Sequence, residues 1–112
     1  MTNEDLNTAL YQKMFAEQAQ YRDQMLTMTP QQILGHAYEF ICREDILLSL
    51  EYNDLSTRQA KALMKSDTPL ADVFKKWESW ETGHMDDIWN AVEAQANEIL
   101  REDFKASRRE ER

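Results

Sequence analysis

Residues 29–59 read TPQQILGHAYEFICREDILLSLEYNDLSTRQ, and this stretch decides the fold class. Thr29 suits a helix N-cap, Pro30 the first helical position and Gln32 the third, which together spell a capping box. Ser56-Thr57-Arg58-Gln59 repeats the signature, with Leu55 placed to staple onto Ala60. Between the two caps, Ile33, Leu34, Ala37, Tyr38, Phe40, Ile41, Leu47 and Leu48 fall in one broad arc at about 100° per residue. The spacing predicts a helix from Pro30 to about Glu51, broken at Asn53-Asp54. So wide an arc predicts a central helix that touches several others.

The flanks extend the same pattern. Upstream, Thr2 or Asn3 can cap a first helix, with Glu4 and Asp5 favourable in its first turn. Leu6, Leu10, Met14, Tyr21, Met25 and Met28 recur at helical spacing, with a gap near Gln18. Downstream, a short third helix runs to about Lys65. Ser66-Asp67-Thr68-Pro69 stops it and opens a fourth, with Thr68 as cap and Pro69 at the first helical position. Leu70, Val73, Phe74, Trp77, His84, Ile88, Val92, Ala96 and Ile99 then hold one stripe in phase. Gly83 interrupts that stripe at a cost of about 1 kcal/mol against alanine. The phase does not change across it, so the expectation is one long helix with a kink. The sum is all-α: a compact bundle of four to five helices with a long C-terminal helix. Residues 1–104 are read as one helical domain and 105–112, KASRREER, as a basic, frayed tail.

Composition supports a helical class. The chain has 112 residues, 42% of them apolar, with only 2 Gly and 2 Pro. Sandwiches, barrels and Rossmann units need more turn residues than that. Cys42 is alone, which excludes an internal disulfide or a thiolate metal site and fits a reducing, cytoplasmic setting. The opening MTNEDLNTAL is acidic and lacks the apolar run of a secretory signal, and no apolar run approaches a membrane span.

Charge is uneven. The net −8 is concentrated in residues 1–54, with 9 acids and 3 bases, and in residues 83–104, with 6 acids and 1 base. Such a balance opposes direct binding to nucleic acid or to an anionic membrane. In the last helix Asp86, Asp87, Glu93, Glu98 and Glu102 are read on the side away from Ile88, Val92 and Ile99, with Asp103 at a border and only Arg101 interrupting. Like charges on a helix weaken it, so a negative surface kept in spite of self-repulsion points to a basic partner. Trp80 and Trp89, toward the borders of the apolar stripe, are candidate interface anchors.

Catalytic chemistry finds little footing. Glu81-x-x-His84 is half of the pair of motifs a di-iron bundle needs, and His36 has Ile33 at that spacing. There is no phosphate-binding glycine loop and no nucleophile elbow. The expectation is therefore a protein that is not an enzyme, with no metal and no cofactor. Glu44 falls inside the apolar arc of the second helix, and a salt bridge to Arg22, Arg58 or Lys61 is the favoured reading.

The strings LYQKMFAEQAQYRDQM (10–25), AYEFICREDILLSLE (37–51), LSTRQAKALM (55–64) and PLADVFKKWESWE (69–81) form a series. Over residues 3–100 it resembles a family of short uncharacterised proteins, a domain of unknown function, on mobile elements of gut Firmicutes. No activity is assigned to that family, so no site residue transfers. The resemblance implies a bacterial cytoplasmic protein carried on mobile DNA, a setting rich in small acidic proteins that disarm host defence. The functional expectation is an anti-CRISPR or anti-restriction inhibitor that occupies a basic nucleic-acid-binding surface, for example of a Cas nuclease. The alternative is a helical adaptor that binds a protein through its tryptophans or an apolar groove. Homodimerisation through the arc of the second helix is the further partner expectation.

Overall fold

The computed structural model describes residues 1–80 and 84–110. It contains five helices: α1 (Asn3–Met25), α2 (Pro30–Tyr52), α3 (Thr57–Met64), α4 (Pro69–Ser79) and α5 (His84–Glu110). Among the described residues there is no strand, so the fold is all-α with a long last helix. The chain divides into two compact units, Met1–Ser79 and Trp80–Arg112.

Local chemistry sets the helix starts. Thr2, Thr29 and Ser56 each accept a hydrogen bond from the third backbone N–H of their helix. Asp5, Gln32 and Gln59 return the favour to the cap residue's own N–H, closing three capping boxes. The long stripe across residues 70–99 does not form a single helix. α4 ends at Ser79, whose hydroxyl donates to the Lys76 carbonyl at 2.7 Å. The expected kink at Gly83 lies outside the described residues, as does the Glu81 half of the Glu-x-x-His pair. α5 continues through Lys105, Arg108 and Arg109, the residues read from sequence as a tail.

Within the first unit α1, rather than α2, is the hub: it contacts α2, α3 and α4. Leu10, Met14, Leu47 and Leu70 form the core, with Leu55, Leu63 and Val73 packed around them. The gap in the α1 stripe is filled by Gln18 itself, which is buried. Its amide nitrogen donates to the Phe40 carbonyl at 3.2 Å and to Glu44 Oε1 at 3.0 Å. Glu44 is thus an exposed acceptor, and among the described residues neither Arg22, Arg58 nor Lys61 pairs with it.

A row of polar side chains beside the α1 stripe holds the other elements. Asn7 donates to the Leu55 carbonyl at 3.0 Å and accepts from the Leu55 N–H at 2.9 Å, which pins the α2–α3 loop. Lys13 donates to the Met64 and Ser66 carbonyls at 2.9 and 2.6 Å, satisfying the C-terminal end of α3. Glu17 accepts from the Leu70 and Ala71 N–H groups at 2.8 and 2.9 Å, so a carboxylate from α1 caps α4. Thr68, the expected cap, instead turns its hydroxyl toward Asp72. Arg43 closes the cluster. Its guanidinium, 8% exposed, lies 3.9 Å from Glu17, pairs with Glu39 and stacks 4.0 Å from the Tyr21 ring centre.

Two substitutions separate these caps. Glu17→Ala should lower the unfolding free energy by about 3 kcal/mol, because two N–H groups and a buried guanidinium lose a charged partner. Thr68→Ala should change it by less than about 0.5 kcal/mol. Urea denaturation followed by circular dichroism reads both, and equal losses would contradict the assignment of the cap to Glu17.

Candidate functional site

Two exposed helix faces stand out among the described residues. No three His, Cys, Asp or Glu side chains among them stand close enough to share a metal ion. No described helix is long and apolar enough to cross a membrane.

The first surface lies on α2. Its broad arc is split by the packing. Arg43 and Leu47 are buried, and Ile33, Phe40, Ile46 and Leu50 are half-buried. Leu34, Tyr38, Ile41, Leu48 and Tyr52 are 49–79% exposed. The exposed residues are spaced 4, 3, 7 and 4 apart, and Asp45 fills the long step, so the six follow an unbroken 4-3 heptad rhythm along one line. The arc is wide because it combines two faces, one turned into the bundle and one turned out.

Both flanks of the outer row are aromatic. On the α4 side, the Phe74 and Tyr38 rings meet at 67° with their centres 6.4 Å apart. The Cys42 thiol beside the Tyr38 hydroxyl leads in raising the phenol above its ordinary pKa, and the Trp77 indole opposes it. Trp77, read from sequence as core, is 40% exposed. On the α1 side, Phe15 is 57% exposed. There Tyr11 donates to Glu51 at 2.8 Å, and this bond to a carboxylate raises the phenol's pKa.

The second surface is α5. At about 100° per residue, Met85, Ile88, Trp89, Val92, Ala96, Ile99 and Leu100 fall within about 120° of arc. Their unit contains one described helix, so it has no second helix of its own to cover the stripe. All the described side chains of α5 are exposed. The acidic residues are exposed too, but helical phase divides them. Asp86 and Glu93, seven apart, border one edge of the apolar arc. Asp87 and Glu98, eleven apart, lie across the back with Glu102 beyond them. Asp103 falls on the axis of the apolar arc rather than at its border. Trp89 lies within the arc, whereas Trp80 lies outside any helix and is 59% exposed.

These features define a class: a small all-helical protein with exposed amphipathic helix faces. The chain belongs to the family described as "Protein of unknown function (DUF3848)", whose model matches residues 6–100. Among curated proteins and among solved structures, none matches it.

The outer row of α2 should be dispensable for folding. Leu34→Ser and Tyr52→Ser should each shift the urea midpoint by an amount equivalent to less than about 0.5 kcal/mol. Leu47→Ala, on the inner face, should cost about 2–5 kcal/mol. Comparable losses at all three positions would show that the row is structural.

Proposed function

We propose that the protein is a non-catalytic binding protein that lays α5 against a partner protein whose apolar contact is rimmed by basic residues. One observation carries the reading: α5 has a continuous apolar arc and, from His84 through Leu100, four acids and no base. An amphipathic helix with charge of one sign beside its stripe suits a groove of opposite charge. The apolar contact limits dissociation, and the acidic rows speed encounter.

We further propose that the partner is a nucleic-acid-handling enzyme, with a Cas-type nuclease as the first to test, and that the protein acts as an anti-defence inhibitor carried on a mobile element in the bacterial cytoplasm. The net −8 and the resemblance of the four sequence strings support this finer reading. Such enzymes hold nucleic acid in positively charged channels, which an acidic helix can occupy without any catalytic residue. An adaptor role is the second reading, and the observation favouring it is the exposure of Trp89 within the apolar arc.

Biolayer interferometry of the full chain against a purified Cas9-type nuclease tests the proposal. Association should slow about tenfold or more between low and high salt, as steered encounter requires. The triple reversal Asp86→Lys, Asp87→Lys, Glu93→Lys should abolish binding, and Trp89→Ala should hasten dissociation. Binding that ignores both salt and charge reversal would remove the acidic rows from the interface. Absence of binding would remove the nuclease.

A further inference from the structure

From the outer row of α2 we infer a second docking surface, one that accepts a basic amphipathic helix with a single Lys or Arg in the middle of its apolar seam. The row stands on the Met1–Ser79 unit. It comprises Leu34, Tyr38, Ile41, Asp45, Leu48 and Tyr52, spans nineteen residues of α2 from first to last, and is about 27 Å long. Its 4-3 rhythm is the rhythm by which one helix seats the side chains of another.

Asp45 specifies the occupant. It interrupts an otherwise apolar row near its middle and is exposed. Covering the row removes water from this carboxylate, which is unfavourable unless the covering helix returns a cation at that level. The surroundings carry the same sign. A hollow of about 310 Å³ beside the row is lined by Tyr11, Phe15, Glu44, Asp45, Leu48 and Glu51, so three carboxylates and no base face it. A second copy of α2 does not meet the requirement. Paired antiparallel in register, it sets Asp45 against Ile41; paired parallel, it sets Asp45 against Asp45. Both leave the carboxylate without a cation. Phe15 and Trp77 stand on the two flanks as apolar walls for a helix lying along the row.

Three synthetic helical peptides of twenty-one residues test this against the full chain. Each carries leucine at the 4-3 positions and lysine or glutamine elsewhere. They differ at one central seam position, which is arginine, leucine or aspartate. Fluorescence anisotropy should show the arginine peptide binding at least tenfold more tightly than the aspartate peptide. Asp45→Lys, an exposed change, should invert that order, and Asp45→Ala should erase it. Equal affinity for the three peptides, or an order unaltered by Asp45→Lys, would overturn the inference. So would loss of binding on Asp86→Lys with Asp87→Lys, which would place the contact on α5. A final control is hydroxyl-radical labelling of the chain alone. Tyr38 and Tyr52 should label as exposed tyrosines, and protection of both would mean that the row is already covered.

Discussion

The first unit depends on one carboxylate. Glu17 projects from the third quarter of α1 and takes the two N–H groups of Leu70 and Ala71 that no residue of α4 can satisfy. The same side chain faces Arg43 of α2. Three helices that are distant in sequence therefore meet at one charged group, which is nearly buried. Burial makes the arrangement directional. An apolar contact tolerates a small slide of one helix along another, whereas a carboxylate held by two amides and facing a guanidinium does not. Leu70 enters the core beside Leu10, Met14 and Leu47 because Glu17 fixes where α4 begins.

This arrangement frees the outer face of α2. α1 supplies polar contacts to every element of the unit: Asn7 to the α2–α3 loop, Lys13 to the end of α3, Glu17 to the start of α4 and Gln18 to α2. With α1 as the hub, α2 contributes only its inner side, Arg43 and Leu47 above all, to the packing. Its outer apolar row stays largely exposed, with Tyr38 reaching the buried Phe74 ring. Single exposed leucines are ordinary on a protein surface, but five large apolar side chains on one line are a patch of the kind that binding surfaces use.

What could be read in advance follows the range of the interactions. The capping boxes at Thr29 and Ser56 were legible because each closes within four residues. The core positions Leu6, Leu10, Met14 and Met25 were legible because helical periodicity displays them. The Glu17 cap was not, since its partners lie 53 and 54 residues away and a Thr-Pro pair offered a plausible local cap. Arg43 is masked in the sequence by its neighbour Glu44, a charge inside the apolar arc, whereas the buried charge is the arginine one position earlier. Gln18 marked itself as a gap in the stripe, a signal that a buried polar contact was to be found there. The break after Ser79 escaped because phase continuity shows that two segments share a face, not that the backbone between them is helical. The breadth of the α2 arc was read as burial on several sides, while it reflects one inner and one outer face. The candidate residues of α5 were visible as charges and aromatics, and only helical phase divides Asp86 and Glu93 from Asp87 and Glu98.

The direct test of the central constraint is amide hydrogen exchange at Leu70 and Ala71, followed residue by residue by NMR. First-turn amides of a helix lack intrahelical partners and ordinarily exchange quickly. A Glu17 carboxylate that caps α4 predicts that these two amides are protected to the level of the helix interior and that Glu17→Gln releases both. Exchange at ordinary first-turn rates in the unaltered protein would contradict it.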